Sequence, residues 1–281
     1  MRETSNPVFR SLPKQQGGYA QFGAGAPQGY APYQAPYQAP YQQEAGKVSR
    51  PLTIDDVVAK TGITLAVLSL SAVISYFVVS SNLALAGPLT MIGALGGLAL
   101  VLIATFGRKQ DNPAIVLSYA VLEGMVLGSF SYIVANLTVK HANAGALVTE
   151  AVLASFGVFF GMLVVYKTGA IRVTPKFQRM LVAGLFGVLA LMLGDWVLSM
   201  FHVNGGAGLG LRTGGPLAIV FSLVCIVIAA MSFLTDFDAA DQMVRAGAPE
   251  KAAWGIALGL TVTMVWLYVE ILRLLSYFQN D

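Results

Sequence analysis

Residues 232–244 read SFLTDFDAADQMV and close an apolar run that begins near Pro216. Asp236, Asp238 and Asp241 crowd into the end of that run. An apolar stretch of about 20 residues bounded by charge is the pattern of a helix that crosses a bilayer. The same pattern recurs along the chain from residue 61 onward. Seven spans are expected, at about 61–80, 88–106, 114–135, 147–166, 179–201, 216–235 and 254–277. Backbone polar groups in hydrocarbon must be satisfied within their own segment, which makes these spans helices. The runs are continuously apolar, without the alternation that a membrane barrel requires. The expected fold class is an all-α membrane protein, a bundle of seven helices over 51–281 preceded by a tail.

Composition supports lipid as the solvent. Hydrophobic residues make up 56% of the 281, and charged residues only 11%. Soluble domains carry about 25% charge. The net charge of +3 is small and its distribution patterned, so a nucleic-acid partner is not expected. The lone cysteine, Cys225, leaves no internal disulfide and no cysteine-rich metal site. No cofactor is expected. An enzyme is not expected either, because GxSxG and HExxH are both missing and His141 and His202 fall in outer loops. A retinal protein lacks its anchor, since residues 254–278 contain no lysine.

Residues 1–50 are a different material. They are rich in Gly, Pro, Gln, Ala and Tyr and contain the repeat YAPYQAPYQAPYQQ, Tyr30 to Gln43. With so few aliphatic residues to bury, this tail is expected to be disordered. It reads either as a solvated tail or as a tyrosine-and-proline ligand for a cytoplasmic protein partner. The first 60 residues have no apolar core of the kind a cleavable signal needs.

The connections set the orientation. Fourteen of the 17 basic residues lie on one side: Arg2, Arg10, Lys14, Lys47, Arg50, Lys60, Arg108, Lys109, Lys167, Arg172, Lys176, Arg179, Arg245 and Lys251. Lys140, Arg212 and Arg273 lie on the other. Basic residues favour the cytoplasmic side, so the N-terminus is expected inside and the C-terminus outside a cell membrane. The pairs of glycines four apart in GALGG (93–97), GMVLG (124–128), GVFFG (157–161) and GIALG (255–259) predict close helix contacts.

Five acids need an account in such a solvent: Glu123, Asp195, Asp236, Asp238 and Glu270. A charged side chain deep in a bilayer costs at least about 2.5 kcal/mol, and usually faces a bundle interior or a wet cavity. At 1.5 Å per residue Glu123 lies about 14 Å deep, near mid-membrane. It has no basic neighbour on its own helix, and so is either protonated or paired across helices. Asp195 and Glu270 lie about 24 Å from the cytoplasmic ends of their helices. Asp195 is next to Trp196 near the outer interface, where it is either hydrated or functional. Glu270 is either paired with Arg273, three residues on, or a functional acid. Asp236 and Asp238 stand at the mouth of helix 6, where they can share a proton and make transient contact with Ca²⁺. Asp241 reads as loop charge. DFDAAD lacks the glycine and distal glutamate of an EF-hand loop.

The helix-6 end LTDFD, the seventh helix VWLYVEILRLLSYF and the opening MRETSNPVF resemble the bacterial branch of the Bax inhibitor family, the transmembrane Bax-inhibitor-motif proteins. The resemblance covers roughly residues 50 to 278. It implies a seven-helix fold with helix 7 at the centre. It also implies a pH-sensitive calcium leak, governed by two hydrogen-bonded aspartates in helices 6 and 7, with a basic residue after helix 2 that latches onto the first. Arg108 in FGRKQ matches the latch, and Asp236 or Asp238 the helix-6 acid. For the helix-7 acid, matching LYVE selects Glu270, whereas a gapless match backward from Arg273 selects Thr263, which cannot titrate. Two functions follow: a proton-sensitive calcium or other cation leak, or a membrane adaptor that recruits partners through its tail. Nothing in the sequence sets the oligomeric state.

Overall fold

The computed structural model describes residues 50–139 and 143–279. The expected tail, apart from Arg50, lies outside the described residues, as do Lys140 and His141. Seven helices follow one another: α1 Ile54–Ser81, α2 Ala86–Phe106, α3 Pro113–Ile133, α4 Ala144–Thr168, α5 Pro175–Met200, α6 Pro216–Arg245 and α7 Ala252–Phe278. All seven are long and apolar enough to cross a membrane. Among the described residues there is no β-strand, only an isolated bridge between Pro51 and Pro249. The architecture is the expected all-α seven-helix bundle.

Local chemistry sets where the helices begin and end. α1 starts at Ile54, earlier than its apolar run, because Thr53 and Asp56 form a capping box. Asp55 and Asp56 also place negative charge at the positive end of the helix dipole. Proline occupies the first turn of α3, α5 and α6, where its missing N–H costs nothing. α4 stops at Gly169, which takes a left-handed backbone at φ 67°.

The largest departure from the expected boundaries is α6, which runs ten residues beyond 235, to Arg245. No helix breaker occurs until Gly247, at φ 64°, followed by Pro249. The added turns are laced by Asp238–Gln242 and Asp241–Arg245 contacts four residues apart, at 2.6 and 2.7 Å. Asp241 is therefore helical rather than loop charge, and it also accepts a hydrogen bond from the Tyr166 hydroxyl at 3.3 Å. The polar segment ended the lipid-soluble run without ending the helix.

α7 is the central element. Some 67% of its most apolar stretch is buried, against 11% for α4 and for α5. It packs against α1, α3, α4 and α6, and its core face carries Leu260, Met264, Leu267, Ile271 and Leu272. Phe159 of α4 meets Phe233 and Phe237 of α6 edge-on at 5.2 and 5.5 Å. On α5, Phe186, Leu189, Leu193 and Trp196 are exposed, an apolar face that requires lipid around it. The chain is a multi-pass membrane protein in contact with the bilayer.

Two of the four glycine motifs make the predicted close contacts. A Cβ at Gly124 would meet the Leu68 carbonyl of α1 at 2.5 Å, and one at Gly128 would collide with the Ala72 carbonyl. One at Gly93 would meet the Leu122 carbonyl of α3 at 2.6 Å. Gly157 and Gly161 have nothing within 4 Å, and neither does Gly259. The α1–α3 seam is further tied by Ser71 and Ser75 hydroxyls donating to the Val121 and Met125 carbonyls at 2.7 and 2.8 Å.

Candidate functional site

α6 and α7 lie side by side, with half-buried Asp236 on α6 and fully buried Glu270 on α7. At the inner level the Thr263 hydroxyl of α7 donates to Asp236 Oδ2 at 2.7 Å. The same hydroxyl lies 3.2 Å from the Gly259 carbonyl, so its single proton serves two acceptors. Asp236 and Thr263 line a groove of about 440 Å³ between α5, α6 and α7, with Gln178, Ser232, Thr235 and Trp266 among its walls. The Ser232 and Thr235 hydroxyls donate to carbonyls of their own helix, Ile228 and Ser232. Their lone pairs remain available to a cation in the groove.

At the outer level Glu270 is 1% exposed and pairs with Arg273 at 2.8 Å, while the Ser222 hydroxyl of α6 lies 3.4 Å from its second oxygen. The Arg273 guanidinium lies 5.7 Å from the centre of the Phe130 ring on α3. Thr263 thus occupies the position facing Asp236, as the gapless match requires. Glu270 sits about 10 Å higher on the same helix, too far to join it.

Three expectations at the inner end are corrected. Asp236 is not at the mouth of its helix: Arg245 lies nine residues further on, about 14 Å away. Asp236 and Asp238, expected to act together, do not face each other. Residues two apart on a helix point in nearly opposite directions, and Asp238 bonds Gln242 on its own helix while Asp236 meets α7. The Arg108 latch is not closed. Arg108 sits in the turn after α2 with a left-handed backbone, φ 52°, and belongs to none of the ion pairs among the described residues. Its turn abuts the start of α7 through Gln110 and Gly255, eight residues and about 12 Å below Thr263.

The other two acids have separate surroundings. Asp195 Oδ1 accepts from the Leu209 backbone N–H at 2.8 Å, which fastens the α5–α6 loop to the end of α5. Glu123 faces Gly97 of α2, in the seam between α2 and α3.

A clasp at the α1 entrance carries no motif in the sequence. Leu52 N–H donates to the Ala248 carbonyl at 2.8 Å and Glu250 N–H to the Arg50 carbonyl at 3.0 Å. Arg50 pairs with Asp56 at 2.6 Å and Glu250 at 3.3 Å, and Lys60 reaches Glu250 at 3.0 Å. The Asp56 and Glu250 carboxylates hold the Arg50 guanidinium above its ordinary value, the Asp56 hydrogen bond most of all. The entrance to α1 is thereby tied to the loop joining α6 to α7, the two helices that carry Asp236 and Thr263.

No curated protein matches the chain significantly. The family model described as Bax inhibitor 1 like matches residues 6–280, from within the tail to the end of α7. With seven membrane-length helices, the last of them the most buried, and an α6 acid bonded to α7, this chain belongs to the Bax inhibitor 1 like family.

Proposed function

We propose that the protein is a proton-sensitive cation leak pathway of the cell membrane, with calcium as cargo and Asp236 as the only titrating member of the α6–α7 sensor. The observation that carries the reading is the Thr263–Asp236 hydrogen bond on the wall of the α5–α6–α7 groove. An ionised Asp236 attracts a cation and accepts from α7, and a protonated one does neither in the same way. Protonation therefore changes both the charge of the groove and the bond that holds the two helices together. Calcium prefers six to eight oxygen ligands, and among the described residues no cluster of three acids or histidines could supply them. A single carboxylate with hydroxyl neighbours suits an ion in transit.

The orientation that accords with this reading is N-terminus inside and C-terminus outside. Arg50, Arg108, Lys167, Arg172, Arg245 and Lys251 flank the helix ends on the side of the clasp, which the positive-inside rule assigns to the cytoplasm. The latch by Arg108 belongs to a state in which its turn moves toward α6. The test is calcium flux into vesicles containing the purified protein, measured against pH for wild type and Asp236→Asn. Flux that varies with pH in wild type and not in the variant supports the reading. No flux at any pH overturns it and leaves the bundle as a scaffold for the tail.

A further inference from the structure

Glu123 occupies the middle of α3, ten residues from either end of Pro113–Ile133, and so lies about 15 Å from each. The proposed leak does not use it. Across the α2–α3 seam the facing residue is Gly97, where an added Cβ would lie 2.6 Å from Glu123 Oε1. The glycine makes the space the carboxyl fills. One turn below stands Tyr119, buried with Ala104 of α2, Val116 of α3 and Leu258 of α7.

The charges around it are few. α2 has no charged residue between Ala86 and Phe106. α1 faces this part of α3 with Leu68 and Ser71, and its nearest basic residue, Lys60, is held by Glu250 at the cytoplasmic end. α7 presents Leu258 at this seam, and its only charged residues within the helix, Glu270 and Arg273, pair with each other at the outer end. Among the described residues no ion pair includes Glu123. An acid at mid-bilayer is stable when a cation meets it or when it carries a proton. Here the first arrangement is missing among the described residues.

From this placement we infer that Glu123 is a second proton-binding site, lodged in the α2–α3 seam and separate from the Asp236 groove. Its neutral form fits against the Gly97 backbone, and loss of the proton puts an uncompensated charge between two helices. The site then biases how closely α2, with Arg108 at its end, rests on α3.

A membrane-soluble carbodiimide reads such a site directly. The carboxyl O–H adds across one C=N bond of the reagent, its proton passing to nitrogen, and the O-acylisourea rearranges to a stable N-acylurea with no atom lost. Full-length protein in lipid nanodiscs is treated with dicyclohexylcarbodiimide from pH 5 to pH 9, and the adduct is located by peptide mass spectrometry. The expected result is an adduct on Glu123 whose yield falls at least several-fold across that range. It persists in Asp236→Asn and disappears in Glu123→Gln. Because the adduct is mapped on wild-type protein, the result does not depend on whether a variant folds. No adduct on Glu123 while other carboxyls react, or a yield that rises with pH, overturns the inference. Loss of the Glu123 adduct in Asp236→Asn shows one coupled site and overturns its independence. The readout involves no flux, so it stands or falls apart from the leak.

Discussion

The inner and outer halves of the α6–α7 pair solve the same problem in opposite ways. Each half sets a carboxylate between the same two helices, Glu270 fully buried and Asp236 half-buried. The outer one, Glu270, is sealed: an arginine three residues on neutralises it, and an α6 serine lies near its free oxygen. The inner one, Asp236, has only a threonine hydroxyl and the edge of a groove. The arginine holds the outer carboxylate with an opposite charge, whereas the inner one meets only a neutral hydroxyl. On the proposed reading, the outer half serves as a joint and the inner half as a switch.

The largest effect should come from opening the joint. Arg273→Ala leaves Glu270 buried and unpaired, and breaking a buried pair by removing one partner costs about 3–5 kcal/mol. Membrane expression and Tm should fall steeply. Replacing both partners by apolar residues, Glu270→Leu with Arg273→Met, should recover most of the loss, because it removes the orphaned charge. If the double variant is as unstable as the single one, the pair does more than neutralise.

Next comes the switch. Asp236→Asn should remove the pH dependence of flux with little loss of stability, while Glu270→Gln should keep that dependence and lower Tm. A tenfold change in flux corresponds to about 1.4 kcal/mol, well below the cost of opening the joint. Should Glu270→Gln alone flatten the pH profile, the two halves have been assigned the wrong way round.

Thr263→Asp sharpens the comparison by giving the inner half a second acid. Two carboxylates in hydrogen-bond range titrate as a coupled pair with two macroscopic steps. The single transition in flux against pH should broaden into two, while Thr263→Ser, which keeps the donor, should leave one. A single unshifted transition in Thr263→Asp would mean that residue 263 does not touch the sensing group.

Much of this was legible in the sequence because lipid enforces simple rules. Seven apolar runs gave seven helices, and the rise per residue separated the levels of Thr263 and Glu270 on α7. The spacing of Glu270 and Arg273 offered their pairing as one of two readings, and the structure shows that pair. Hydropathy ended helix 6 at 235, however, because the run loses its lipid-soluble character there while AADQMVR still favours helix. That error placed Asp236 at a mouth rather than within the bundle. Glycine spacing could not separate the Gly124–Gly128 seam from Gly157 and Gly161, since a helix face shows what it touches only in three dimensions. The clasp of Arg50, Lys60 and Glu250 joins residues nearly 200 positions apart by ordinary surface charges, and no local pattern encodes it.

The smallest expected effect falls on Asp238, the neighbour that sequence alone could not tell from Asp236. Helical geometry turns the two side chains apart, and Asp238 has Gln242 of its own helix as partner at 2.6 Å. An exposed contact four residues apart contributes about 0.2–0.5 kcal/mol, so Asp238→Asn should change Tm by no more than a degree or two. Its charge is near the C-terminal end of α6, where on the proposed reading it enriches cations at the entrance without contacting α7. Flux at low ionic strength should therefore fall slightly, within about twofold, and this difference should vanish in high salt as the charge is screened. The pH profile should keep its wild-type shape. If Asp238→Asn instead displaces the transition as far as Asp236→Asn abolishes it, then the two acids act as one group despite facing apart, and the contrast between switch and entrance fails.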